Sequence, residues 1–281
     1  MKKEVIAARA PKDPISEIFR TLRTNIQFMG TEKGLKTILI TSTMPEEGKS
    51  WVSANLAVTF AQAGKRVVLI DADMRKGRLF TIFGISPKPG LSNYLSGVTE
   101  DDTTDKYSKI INYIQETEVP NLFVIPAGNV PPNPSELIIS NKMAVLIEEL
   151  KRMCDIIIFD GTPSALVTDA VILSRMVDTT LIVTAHKQTK MDDLKKIVKS
   201  IENVGGKLGG IVLNKIKLTE KEYSKQYYYG NVNSNMPNKK ENFVKKVLSD
   251  EIEALIPKEP TKNISKPSKV SKRLEDYTSE D

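Results

Sequence analysis

Six short apolar runs recur along the middle of the chain: KTILIT, RVVLIDA, LFVIPAG, DIIIFD, TTLIVTA and LGGIVLNK. Each has the length of a strand and is apolar at successive positions, so both faces of the strand are covered. Helical periodicity fills most of the gaps between them, over residues 51–63, 135–152, 170–177 and 191–204. Strands alternating with helices predict an α/β fold, a doubly wound and mainly parallel sheet with helices on both faces. Such sheets bind ligands at the carboxyl ends of their strands. Thr41, Asp71 and Asp160 all fall at those ends, so they are expected to line one crevice.

Before the first strand, Ile15, Ile18, Phe19, Leu22, Ile26 and Met29 recur at helical spacing. Asp13 suits the cap of that helix and Pro14 its first turn. After Asn214 the periodicity fades into turn-forming and polar residues, and a mobile segment is expected. Residues 243–256 can form a short amphipathic helix, and the polar residues after them read as disordered. The expected organisation is an N-terminal helix (1–30), the α/β domain (31–217), a tyrosine-rich tail (218–240) and a polar extension (241–281). No internal repeat is evident.

The 281 residues are 40% hydrophobic and 27% charged, which fits a soluble globular chain with a sizeable core. No apolar run approaches the roughly 18 residues of a membrane span. The amino terminus, MKKEVIAARAPKDP, lacks the apolar stretch of a secretory signal. The single cysteine, Cys154, excludes an internal disulfide and reads as an inert core thiol beside DIIIFD. Together these features point to the cytoplasm. A net charge of +6 favours anionic partners, whether nucleotide, nucleic acid or the inner membrane face. His186 is the only histidine, which excludes multi-histidine metal sites; it reads as a solvated or hydrogen-bonded loop residue.

The chemistry is concentrated behind the first strand. Thr43 to Ser50, TMPEEGKS, follows the phosphate-binding loop pattern except at its first position, where Thr43 replaces glycine. Amides of such a loop point at phosphate oxygens, and the following helix adds its positive end. Pro45, Glu46, Glu47, Gly48, Lys49, Ser50 and Trp51 are therefore candidate ATP contacts. Lys49 would bridge the outer phosphates and the Ser50 hydroxyl would ligate Mg2+. Asp71 and Asp73 follow the second strand, with Arg75 next in the alternation; Asp160 follows IIIF. Carboxylates there can hold a metal and accept a proton from an attacking hydroxyl. Lys49, Asp71, Asp73 and Asp160 are the candidate catalytic set, and Ser50, Asp71 and Asp160 the metal set. Thr41 and Arg78 are weaker candidates, and Asn214 is a candidate adenine contact by position.

Four of the eight tyrosines, Tyr223, Tyr227, Tyr228 and Tyr229, lie in one short segment. Three in succession cannot share one face of a helix or strand. They read either as a partly packed surface segment or as phosphate acceptors on a flexible leash.

These motifs together resemble the bacterial protein-tyrosine kinases of capsular and exopolysaccharide synthesis, over about the first four-fifths of the chain. The family's loop is matched by STMPEEGKS, with its proline at Pro45. Its second Walker motif, an apolar run followed by Asp-x-Asp-x-Arg, is matched by VVLIDADMR. Its Asp-Thr-Pro-Pro is here Asp160-Gly161-Thr162-Pro163, which differs in the middle. Its Pro-Pro-Asn-Pro-Ser-Glu-Leu segment is matched from Pro131, and its Glu-x-x-Arg-x-x-Arg motif by Glu17, Arg20 and Arg23. About fifty residues follow the tyrosine cluster, where the family's chain usually ends.

The resemblance implies a P-loop fold of the deviant-Walker type and ATP with Mg2+. It implies autophosphorylation of tail tyrosines between subunits of a ring held through Glu17, Arg20 and Arg23. It further implies a separate transmembrane activator of the chain-length-determinant type and a cognate phosphatase. It places the kinase at the inner face of the membrane through that partner, with no nucleic acid. Two other readings share parts of this pattern. A positioning ATPase of the MinD and ParA kind has the same sheet, but usually carries a second lysine early in the loop, and residues 43–47 contain none. A nucleotide-binding scaffold without kinase activity would have little use for Asp71 and Asp73.

Overall fold

The computed structural model describes residues 5–29, 34–97 and 109–217; Tyr223, Tyr227, Tyr228 and Tyr229 lie outside them. The elements run α1 (Ile6–Arg9), α2 (Pro14–Met29), β1 (Thr37–Ser42), α3 (Lys49–Gln62), β2 (Val67–Asp71), α4 (Leu79–Phe83) and α5 (Leu91–Ser96). A 3-10 turn (Ile110–Tyr113), β3 (Gln115–Glu116), β4 (Leu122–Ile125), α6 (Pro134–Ile139), α7 (Asn141–Met153) and β5 (Ile156–Pro163) follow. The series ends with α8 (Asp169–Ser174), β6 (Thr179–Ala185), α9 (Met191–Asn203) and β7 (Leu208–Asn214).

The strands form one sheet in the order β3-β4-β2-β5-β1-β6-β7. All neighbouring pairs are parallel except β3 with β4. The six strands expected from the apolar runs are all present, and β3 is a short antiparallel addition at one edge. The alternation of side chains divides the core in two. Ile38, Ile40, Leu69 and Ile158 face a layer containing α2 and α3, whereas Leu39, Ile70, Ile157 and Phe159 face a layer containing α5 and α7. Every residue of α3 from Val52 to Ala61 is buried, as expected of a helix enclosed on all sides.

The N-terminal region holds two helices where one was expected, the short α1 and then α2, and α2 is capped as its sequence predicts: the Ile15 amide donates to the Asp13 carboxylate at 2.8 Å. It shares the α3 core through Phe19 and Ile26, and Phe19 meets the Trp51 ring edge-on at 5.0 Å between centroids. The single helix expected over residues 135–152 is instead two. Ser140 is extended, with φ −61° and ψ 151°, so α6 ends there and α7 begins. Cys154 is buried, its thiol donates to the Leu150 carbonyl, and burial pushes its pKa up to about 11. It is the inert core thiol that the sequence implied. Among the described residues no helix is long and apolar enough to cross a membrane.

Candidate active site

Parallel pairing brings three carboxyl ends side by side. Asp71 of β2 is in register with Asp160 of β5, and Ile40 of β1 is in register with Asp160 on its other side. The loop leaving β1 therefore arches over the two acids. Its path requires left-handed backbone at Glu46 (φ 66°) and Gly48 (φ 98°). At Gly48 a Cβ would fall 2.1 Å from the Asn214 amide nitrogen, so only glycine fits. The first-turn amides of Lys49, Ser50 and Trp51 have no carbonyl one turn back to bond. They leave a donor cradle at the start of α3.

Within this cradle Lys49 is nearly enclosed. Its Nζ lies 3.1 Å from Asp73 Oδ2, 3.7 Å from Asp160 Oδ1 and 3.4 Å from the Ser50 hydroxyl. Burial alone would lower the Lys49 pKa, but Asp160, Asp73 and Asp71 outweigh it and raise it. The lysine is therefore held charged. The Asp71 and Asp160 carboxyls are raised as well, which for an acid favours the neutral form. Asp71 is pushed up to about 7, first by burial and then by the charge of Asp160, against the opposing amide of Leu79 and Lys49. Asp160 is also raised, chiefly by burial, with Lys49 and hydroxyl donors opposing.

Asp71 and Asp160 each have one oxygen occupied and one left over, whereas both oxygens of Asp73 are met. Asp71 Oδ2 accepts from the Arg78 and Leu79 amides at 2.8 and 2.9 Å, and Asp160 Oδ1 accepts from Ser53 at 3.1 Å. Asp71 Oδ1 and Asp160 Oδ2 are buried without a hydrogen-bond partner. A buried carboxylate oxygen left unpaired is costly unless something is meant to meet it. Two such oxygens, with the Ser50 hydroxyl close by, are the hard oxygen donors that Mg2+ takes alongside phosphate and water. Among the described residues no group of three or more His, Cys, Asp or Glu side chains could hold a metal ion alone. The fit is thus to an ion shared with a nucleotide, not to a closed metal cage.

Several expected ATP contacts have other work. Glu47 is buried; its carboxylate accepts from the Met44 amide at 2.9 Å and from the Thr189 hydroxyl. It shapes the loop from within. Asn214 donates from its side chain to the Glu47 carbonyl at 2.8 Å, so that amide braces the loop. The Trp51 ring turns away to Phe19, which leaves its backbone amide for the site. Pro45 and Glu46 are exposed at the tip. Thr41 donates to the Thr162 carbonyl at 2.6 Å and closes the base of the crevice; Arg78 contributes its backbone amide to Asp71. His186 is half-buried, and its backbone amide donates to the Asn214 carbonyl.

Two residues that sequence reasoning missed join the site from the first turns of α8 and α6. Asp169 accepts Arg75 Nε at 2.9 Å and Arg75 Nη2 at 3.3 Å, and also accepts the Ser135 hydroxyl. The signals were weak: an acid opening a helix at Asp169, and a serine in the Pro-Pro-Asn-Pro-Ser segment. The three residues of the α2 motif lie elsewhere. Glu17 pairs with Arg20, which also donates to the Pro11 carbonyl at 2.6 Å. Arg23 donates to the Thr59 carbonyl of α3 at 2.7 Å.

Residues 38–259 match the family model described as the CobQ/CobB/MinD/ParA nucleotide binding domain. The chain is 43% identical over 220 residues to the putative tyrosine-protein kinase CapB of Staphylococcus aureus, covering 78% of this chain and 92% of that one. It is 37% identical to tyrosine-protein kinase YwqD of Bacillus subtilis, covering 88% and 96%. Among solved structures, the chimerical protein CapA2B2 superposes with a TM-score of 0.71 at 37% identity, over 78% of this chain and 92% of that one. The kinase domain of Escherichia coli tyrosine kinase ETK gives 0.70 at 32%, over 76% and 82%. MinD of Pyrococcus horikoshii, with Mg-ADP, gives 0.53 at 22% over 68% and 76%, a likeness of fold alone. The phosphate loop, the paired acids and this extent of identity together establish that the chain belongs to the bacterial tyrosine-protein kinases, within the nucleotide-binding fold shared with MinD and ParA.

Proposed function

We propose that the chain transfers the terminal phosphoryl group of ATP to tyrosine hydroxyls, with Tyr223, Tyr227, Tyr228 and Tyr229 of a neighbouring copy as acceptors, and that this governs capsular or exopolysaccharide synthesis and export. The observation that carries the reading is the charged Lys49 held between Asp73 and Asp160 beneath a phosphate-binding loop. The residues of the crevice divide the work. The loop amides and Lys49 take the outer phosphates, where negative charge shifts during transfer. Ser50, Asp71 and Asp160 would hold Mg2+, directly or through water, and the ion supplies charge neutralisation at the phosphates when bound.

When Lys49 turns to the phosphates it leaves Asp73, which is then free to accept a proton. An entering tyrosine hydroxyl, with an ordinary pKa near 10, needs such an acceptor. Its oxygen forms the new bond to the terminal phosphorus, the bond from that phosphorus to the bridging oxygen of ADP breaks, and the tyrosyl proton passes to Asp73. ADP leaves with the bonding pair. Asp71, with its raised pKa, is the alternative proton acceptor, and the two are separated by their different dependence on magnesium.

Glu17 and Arg20 lie on the outer face of α2, where a second copy can reach them, and Arg23 serves the packing of α2 on α3. A ring through this motif and a separate transmembrane activator complete the reading. The chain would then work at the inner face of the membrane through that activator, with a cognate phosphatase resetting it. The test is phosphotyrosine formation from Mg-ATP, with and without the cytoplasmic tail of a candidate activator. Labelling of the tail tyrosines in the wild type and none in Lys49→Met supports the kinase. Steady ATP hydrolysis with no tyrosine labelled, even with activator, would favour the positioning ATPase. Nucleotide binding with neither activity would favour the scaffold.

A further inference from the structure

The ion pair between Arg75 and Asp169 lies outside the catalytic steps above, yet its construction is costly. Asp169 is 2% exposed, and it receives both the Nε and the Nη2 of Arg75 in a two-pronged contact, plus the Ser135 hydroxyl. A buried carboxylate is retained only where its partners repay its lost hydration. The planar fork of arginine also fixes direction, which the single charge of a lysine does not. The contact therefore specifies where Arg75 must lie.

Arg75 stands two residues after Asp73. The intervening loop is short and pinned elsewhere: the Asp71 carboxylate holds the Arg78 and Leu79 amides, the Lys76 amide donates to Asp73 Oδ1 at 3.0 Å, and Met74 is buried. Asp169 opens α8, which follows the strand carrying Asp160, and Ser135 sits in the first turn of α6. The three side chains thus join the loop after β2 to the starts of α6 and α8, and the loop that carries Asp73 is fixed laterally through Arg75.

We infer that Arg75, Asp169 and Ser135 form a positioning network whose task is to hold Asp73 against Lys49, so that the phosphate-binding lysine and its acidic partner are in register before substrate arrives. Arg75 acts through Asp73, without touching nucleotide or tyrosine. This rests on the assignment of Asp73 in the proposed function and deepens it: the second Walker motif's arginine and the Pro-Pro-Asn-Pro-Ser segment serve one purpose.

The experiment is a mutant cycle on the full chain with the activator tail present. The initial rate of phosphotyrosine formation is measured for wild type, Arg75→Ala, Arg75→Lys, Asp73→Asn and the Arg75→Ala/Asp73→Asn double variant. Affinity for a fluorescent ADP analogue with Mg2+ is measured in parallel. Arg75→Ala is expected to slow transfer tenfold or more, while ADP affinity stays within threefold. In the Asp73→Asn background the same change is expected to cost less than twofold, because the residue it positions is gone. Arg75→Lys, which keeps the charge and loses the fork, carries the same comparison should Arg75→Ala fail to fold, with Arg75→Lys/Asp73→Asn as its double variant. A full tenfold loss on top of Asp73→Asn would show that Arg75 acts independently of Asp73 and would overturn the inference, as would a near-normal rate in both Arg75 variants. A normal rate in Asp73→Asn alone would remove the underlying assignment, and the inference with it.

Discussion

At the carboxyl ends of the strands Lys49, Asp73 and Asp160 meet in near-complete burial, whereas at the amino ends Arg66 and Asp155 face each other in solvent. The second pair lies 3.9 Å apart with side chains 61% and 42% exposed. Asp178, at the amino end of β6, shows the difference again. Burial alone would raise its pKa, but the Lys36 and Thr37 amides and the Thr37 hydroxyl all donate to it and bring it below the ordinary carboxylate range. Asp71 at the other end is raised to about 7, with one oxygen unmet. The same residue type is satisfied where it serves the fold and left short of partners where a ligand is to arrive. Unspent hydrogen-bonding capacity on the paired acids Asp71 and Asp160, where a ligand is to arrive, is a physical mark of function.

The largest expected effect follows from removing the cation at the crowded end. Lys49→Met is expected to lower phosphotyrosine formation by roughly three orders of magnitude or more, as loss of a group serving the developing charge does. Cooperative thermal unfolding should persist. Near-normal transfer in the folded variant would contradict the assignment of the loop.

Asp71→Asn and Asp73→Asn are each expected to cost on the order of 100-fold or more in turnover. Titrating nucleotide affinity against magnesium sharpens the division of roles. Removing a metal-holding carboxylate at Asp71 should weaken Mg-nucleotide binding, whereas removing the proton acceptor at Asp73 should not. Identical magnesium dependence in both variants would erase that division.

Stability should respond in the opposite sense. The Asp71 carboxyl titrates at about 7 in the folded protein and from an ordinary value of 3.8 when unfolded. Between those values the folded state holds a proton that the unfolded chain does not, so stability falls as pH rises through the window. In the protein free of nucleotide and metal, Asp71→Asn should therefore stabilise at about pH 8, by about 1 kcal/mol or more, and do little at about pH 4. Asparagine keeps the acceptor for the Arg78 and Leu79 amides. Thermal unfolding at both pH values checks this, and destabilisation at the higher pH would show that burial is not what governs Asp71.

Smaller effects test the rest of the contrast. Arg23→Ala removes a bond from α2 to the last turn of α3 and should cost roughly 1 kcal/mol in the isolated chain. Glu17→Ala, in an exposed pair, should cost under about 0.5 kcal/mol while lowering oligomeric mass by light scattering. At the amino ends, Asp155→Asn should change stability by less than about 0.5 kcal/mol. A cost of several kcal/mol there would deny the difference between the two ends.

What the sequence disclosed depended on distance along the chain. The six apolar runs announce their strands through their short length and β-branched content; five are largely buried, whereas the edge strand β7 is only half-buried along its length. The phosphate loop and Asp71, Asp73 and Asp160 were legible because each comes at or just after the end of an apolar run, although β5 itself continues past Asp160 to Pro163. The short helices α4 and α5 were not: the amides opening α4 are taken by Asp71, a contact made by folding, and no periodicity forms in so few residues. Arg75 and Asp169 are 94 residues apart, and Ser135 and Asp169 are 34 apart, so their meeting exists only after the sheet has set its order. Glu47 and Asn214 do lie at the phosphate loop, but their bonding to the loop itself could not be read from position. Trp51 followed the motif while its ring followed the core. Arg23 looked like a partner of Glu17 and Arg20 by spacing, yet its carbonyl partner is on α3.

Phosphopeptide mapping after incubation with Mg-ATP and activator decides whether the tail tyrosines are the acceptors. Phosphotyrosine is expected at Tyr223, Tyr227, Tyr228 or Tyr229. Almost none is expected when all four are changed to phenylalanine, with nucleotide affinity retained. ATP consumed by the wild-type chain with none of these four tyrosines labelled would contradict that role.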